Sequence, residues 1–154
     1  MKRSRVNGIM AHADEMIRSF GFQLPPFAYW TPKEFYDNKT IAEHIIDTQC
    51  GWDITDFGSG NFDSMGLFLF TLRNGRLADL QRGGGMCYAE KLLISKQDQL
   101  SPMHTHVIKA EDIINKNFDG FFLSFQAHYL QTLSSQSLNE PREICQKMRA
   151  LMLL

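Results

Sequence analysis

His104-Thr105-His106, with Lys109 and Glu111 just downstream, is the stretch of this chain whose residue types can do chemistry. On an extended strand, side chains alternate with period two, so imidazoles one residue apart share a face. A carboxylate five residues beyond the second imidazole can return to that face across a short bend. Two neutral imidazoles and one carboxylate suit a divalent ion such as Mn, Fe, Co, Ni or Zn. An isolated His-x-His is common by chance, so the elements that would carry it decide its weight.

The bulk composition bounds those elements. A chain of 154 residues fits one domain with its own core, and 44% hydrophobic with 21% charged residues is ordinary globular composition. The formal net charge of -1 gives no electrostatic case for nucleic acid. No apolar run reaches the roughly 18 residues of a membrane span, so no membrane partner is expected. The first residues, MKRSRVNGIM, are basic and then amphipathic, without the apolar stretch of a signal peptide. Cys50, Cys87 and Cys145 are odd in number and widely spaced, which suggests reduced packing thiols and a cytoplasmic protein.

Local patterns predict the elements in order. Val6, Ile9, Met10, Ala13, Met16, Ile17 and Phe20 recur in steps of three and four, which predicts a helix over 4–20, capped by Ser4 and ended by Gly21. Residues 22–36 hold three prolines and five aromatics, so an ordered loop is expected there. Thr40 to Asp47 reads as a short helix, and Gly51 to Gly60 as a structured loop or strand edge. Met65 to Arg73 reads as a strand, Asn74-Gly75 as a hairpin turn, and Arg76 to Leu80 as the return strand. A turn at Gly83-Gly84-Gly85 precedes a strand over Tyr88 to Ser95. A polar turn at Lys96 to Gln99 leads to a strand over Leu100 to Ile108 that carries the histidines. Short strands at this spacing argue for an antiparallel sandwich or barrel. Residues 117–139 show neither clean alternation nor turn signals, and 139–154 look helical.

Several of these segments together resemble the D-lyxose isomerases. They are MKRS at the start, PFAYWTP at 26–32, GWDITDFGSG at 51–60, LFTLRNG at 69–75, YAEK at 88–91 and PMHTHVIKAEDIIN at 102–115. The resemblance covers about residues 1–116, which would form the N-terminal part of a cupin sugar-isomerase domain. Residues 117–154 would be a divergent tail without a domain of its own. The fold it implies is mainly β: a double-stranded β-helix (jelly-roll) barrel, incomplete here, with an N-terminal helix and a helical tail.

The resemblance also implies a site. His104, His106 and Glu111 fall on the family's metal-ligand positions for Mn2+, and Lys109 on a catalytic lysine near the sugar. The family's fourth ligand, a His, and a second acidic catalytic residue come from segments with no counterpart after Asn117. A replaced or frameshifted C-terminus is therefore expected, with a half barrel whose open edge favours aggregation or a homodimer. The implied reaction interconverts D-lyxose and D-xylulose, or D-mannose and D-fructose, with a small sugar as the only partner besides a second copy. The alternative is a non-catalytic barrel remnant that binds a sugar or a protein. A dioxygenase using the same ligands is disfavoured by the matches outside the metal motif.

Other candidates read blandly. His128 in FQAHYLQ fits a partly buried or interface histidine better than a replacement ligand, and His12 and His44 fit surface helix positions. Trp30, Trp52 and Tyr29 fit core packing, although Trp52 could stack on a sugar. Asp53 and Asp56 fit loop hydrogen bonding.

Overall fold

The computed structural model describes residues 1–76, 78–79, 82, 85–86, 88–104, 109–115 and 121–129. Three α-helices precede five strands: α1 (Arg3–Ser19), α2 (Pro32–Asp37), α3 (Lys39–Asp47), then β1 (Gly51–Thr55), β2 (Leu67–Arg73), β3 (Tyr88–Ser95), β4 (Lys109–Asn115) and β5 (Phe121–Tyr129).

The apolar stripe produces α1 as expected, and Ile9, Ala13 and Ile17, at successive steps of four, are its buried residues. The helix stops at Gly21, whose φ of +73° an L side chain rarely adopts. There the Gly21 N–H donates to the Arg18 carbonyl and the Phe22 N–H to the Ile17 carbonyl, the paired bonds of a Schellman ending. The start differs from expectation. Lys2 is the N-cap, without a side-chain bond, and Ser4 lies inside the first turn.

The proline-rich segment is more regular than an irregular loop. Pro26–Tyr29 form a 3-10 turn and Pro32 opens α2. Proline at a first helical position loses no bond, since that N–H has no partner in the helix. Thr31 and Glu34 then close a reciprocal capping box. The prolines here start helices and do not merely break them.

All strands pair antiparallel in one sheet of order β1-β2-β3-β5-β4. Tyr88–Ser95 is a strand with the expected bounds. Three expectations are corrected. Asn74-Gly75 makes no two-residue hairpin, because neither residue has the positive φ that such a turn requires. The Asn74 side-chain amide donates instead to the Thr48 carbonyl at 2.9 Å, and β2 pairs with β3 rather than with residues 76–80. The strand expected over Leu100 to Ile108 is absent among its described residues: Leu100 makes an isolated bridge with Met65, and Ser101 to His104 are irregular. Residues 121–129, which lack clean alternation, form β5 between β3 and β4. A strand flanked on both sides can carry apolar residues on either face, so period two need not show. The helix expected over 139–154 lies outside the described residues.

The expectation of a mainly β fold is thus corrected to a mixed one. Helix is as abundant as strand among the described residues, and their single sheet is open at β1 and β4. The core lies between α1 and one face of that sheet. Phe68, Phe70, Leu92 and Ile94 alternate onto this face and pack with Ile9, Ala13 and Ile17. Trp52 lies in register with Phe70, its indole N–H donates to the Ala28 carbonyl at 2.7 Å, and its ring meets Phe70 edge-on at 4.9 Å.

Gly66, just before β2, allows a close approach. A Cβ there would lie 2.5 Å from the Phe62 carbonyl oxygen and 2.7 Å from Gln99 Nε2. Buried Gln99 has little freedom to yield: its amide donates to that same carbonyl, and its Oε1 accepts from the Lys96 N–H at 2.9 Å. Gly66→Ala is therefore expected to lower stability by about 1–3 kcal/mol. A urea melt showing a change under about 0.5 kcal/mol would contradict the crowding.

Candidate functional site

Register assigns the candidate residues to faces. In β4, Lys109, Glu111 and Ile113 alternate with Ala110, Asp112 and Ile114. Glu111 pairs with Ala127 of β5, which pairs with Ala89 of β3. Lys91, two residues on from Ala89, pairs with Thr71 of β2, and Thr71 with Gly51 of β1. Glu111, Lys109 and Lys91 therefore occupy the face opposite Leu92, Phe70 and α1. Asp53, in register with Leu69 and through it Leu93, belongs to that same face.

The site face is built by leftover parity. Phe68, Phe70, Leu92 and Ile94 are committed to the helix, so intervening residues must face away. Glu111 is half-buried and Asp112, on the other face, is exposed. Lys91 is half-buried on the middle strand of the sheet. It is a candidate that the sequence reading passed over. The signal was available: with Leu92 and Ile94 taken as core, alternation places Lys91 opposite them.

His104 lies in the irregular segment before β4 and is exposed. Its Nδ1 is 2.9 Å from the Pro102 carbonyl oxygen. A ring nitrogen that donates to a backbone carbonyl leaves Nε2 with its lone pair, the tautomer a metal-binding imidazole uses. His106 lies outside the described residues. Among the described residues no three of His, Cys, Asp and Glu gather at metal-binding separation. Imidazole and carboxylate together are a donor set of the right chemistry for Mn, Fe or Zn.

The remaining candidates fall elsewhere. His128 is in register with Ala110 and Tyr88, on the α1 side of the sheet, the parity opposite to Glu111. Trp52 faces the core, not the Glu111 face. Tyr29 donates to Asp14 Oδ1 at 2.6 Å, with the Arg18 guanidinium 5.4 Å from its ring centre. Partial burial, then the bond to Asp14, push this phenol above its ordinary value. Trp30 meets Phe35 edge-on at 5.3 Å. Asp56 Oδ1 accepts from the Gly58 N–H at 3.1 Å, a loop-ordering bond as expected. His12 and His44 are exposed on α1 and α3. Cys50 is half-buried beside Thr48, and Cys87 and Cys145 lie outside the described residues. Among the described residues no helix is long and apolar enough to cross a membrane.

Comparison with known proteins bears on this face. A sequence-family model described as D-lyxose isomerase matches residues 1–143, further along the chain than the 116 residues of the resemblance. The D-lyxose/D-mannose isomerase of Escherichia coli O157:H7 is 43% identical over 117 residues, which are 75% of this chain and 51% of that protein. The D-lyxose/D-mannose isomerase of Serratia proteamaculans is 39% identical over 117 residues, 75% of this chain and 50% of that protein. The chain spans about half the length of these curated relatives.

Proposed function

The chain belongs to the D-lyxose isomerase family, and from that premise we propose that its uncovered sheet face binds an aldose and takes part in metal-dependent aldose–ketose isomerisation. The substrate pair is D-lyxose and D-xylulose, with D-mannose and D-fructose as the second. The observation that carries this reading is the shared parity of Lys109 and Glu111 on β4, just downstream of His104. The sheet is read as one wall of a cupin barrel with that face inward.

His104, His106 and Glu111 would hold the ion, of which Mn2+ is the proposed species. When bound, such an ion acts as a Lewis acid on the sugar carbonyl. The chain's own residues do the rest. His104 is set for donation through Nε2 by its contact with Pro102. The Glu111 carboxylate, half-buried on β4, would lose little side-chain freedom on binding. Lys109 is assigned to the substrate oxygen that becomes negative as the C2 proton leaves. An ordinary lysine, with a pKa of about 10.4, keeps its proton at neutral pH and is suited to donate a hydrogen bond to that oxygen. Lys91 supplies a second ammonium to the same face.

The test is a D-lyxose to D-xylulose assay on the full chain with added Mn2+, run beside Mn2+ titration. Turnover that disappears on chelation and returns with Mn2+ is the expected result. Saturable sugar binding without turnover would move the reading to a sugar-binding module. Absence of both would overturn it.

A further inference from the structure

On the opposite side of the molecule, a groove separates the first half of α1 from the sheet. Its volume is about 220 Å³. Its floor is apolar, formed by Ile9, Phe62, Phe68 and Ial94's neighbour-free face of β3 at Ile94.

 Ile94 of β3 closes this floor, and these four side chains are each at most 8% exposed. Its rim is cationic. Arg5 and His12 come from α1 and Lys96 from the turn after β3. Asp63 bridges the mouth, pairing with the Arg5 guanidinium and with Lys96 Nζ at 2.9 Å. The chain itself thus shows that this pair of cations accepts a carboxylate. Lys96 first, and Arg5 after it, hold the Asp63 carboxyl below its ordinary range. Two cations share that one anion, so the mouth keeps a net positive charge.

Gly8 adds an independent observation. It lies within α1, where glycine is the poorest helix former after proline. A Cβ at Gly8 would meet nothing within 4 Å, yet the residue lines the groove. The position costs helix stability and leaves space open where the groove is.

From the apolar floor, the cationic rim and the open space at Gly8, we infer that this groove binds a small free carboxylate with a compact apolar body. The carboxylate takes remaining donors of Arg5 and Lys96, and the apolar body displaces water from Phe62 and Phe68. This site is on the α1 side of the sheet and does not depend on the isomerase reading.

The probe is benzoate, titrated calorimetrically into the full chain at low salt, with benzyl alcohol and inorganic phosphate as comparisons. Benzoate is expected to saturate with a dissociation constant on the order of a millimolar or below. Benzyl alcohol, which lacks the charge, and phosphate, which lacks the apolar body, are each expected to bind at least about tenfold more weakly. Lys96→Met keeps the aliphatic stem and should weaken benzoate by about tenfold. Gly8→Leu should abolish binding while leaving the melting temperature equal or higher, because leucine favours the helix and fills the space. That variant separates a filled groove from a broken fold. Benzoate binding unchanged in Gly8→Leu, phosphate binding as tight as benzoate, or no saturation by roughly 20 mM, would each overturn the assignment.

Discussion

Replacing Glu111 with Gln is expected to weaken Mn2+ binding by the full chain at least about a hundredfold, and to remove isomerase turnover with it. Outer partners of metal ligands are already worth about ten- to a hundredfold in affinity, so loss of a ligand should cost no less. Gln keeps the size of the side chain and removes its charge, so the change reports on the ion rather than on packing. Its place favours a clean result: Glu111 is half-buried on β4, an edge strand, away from the α1 core. His104→Ala is the companion. His104 is exposed, so its removal should leave the melting temperature nearly unchanged while Mn2+ affinity falls to a similar degree. Asp112→Asn is the control, because Asp112 neighbours Glu111 on the same strand but has the other parity. Mn2+ titration followed by electron paramagnetic resonance reads all three. Equal affinity in the parent, Glu111→Gln and His104→Ala would remove the metal centre from the proposal.

That experiment tests a motif legible in one dimension but not its setting. The imidazoles and the carboxylate were readable because ligand chemistry depends on residue type and short spacing. Their support was not. A strand was expected to carry His104, but that residue precedes β4 in an irregular segment, and the strand begins at Lys109. Period two from Lys109 still gave the parity of Glu111, because that rule needs only a local backbone. The hairpin at Asn74-Gly75 failed for a different reason. A strong turn dipeptide sets a preference, but the Asn74 amide found a partner 26 positions away at Thr48. Non-local bonds of that kind leave no mark in a short window. β5 was missed because it lies between two strands, where apolar residues on both faces erase alternation. Tyr88–Ser95 and α1 were legible because local propensity, periodicity and burial agree there.

Phe70→Ala is expected to be the most destabilising single substitution in the described core. Phe70 is 0% exposed, and its ring lies 5.7 Å from that of Phe27, stacked, and 4.9 Å from that of Trp52, edge-on. Truncating a buried phenylalanine costs about 3–5 kcal/mol, through lost burial and the cavity left behind. Two rigid ring neighbours make collapse into that cavity difficult, which favours the upper part of the range. Domains of this size are stable by only about 5–15 kcal/mol, so a large share of the folding free energy would be lost. The effect should extend to the Glu111 face without any contact there. β2 carries Phe70 on one side and Thr71 on the other, and it pairs with β3, which carries Lys91 opposite Leu92. A strand that loosens against α1 therefore loosens the scaffold of both faces. Conservative Phe70→Leu should cost less, under about 1.5 kcal/mol where neighbours repack, and should retain ion binding. Urea melts of the two variants, read by tryptophan fluorescence, separate these outcomes, because Trp52 lies against the altered side chain. A loss below about 1 kcal/mol for Phe70→Ala would mean that the α1–sheet interface is not the main core.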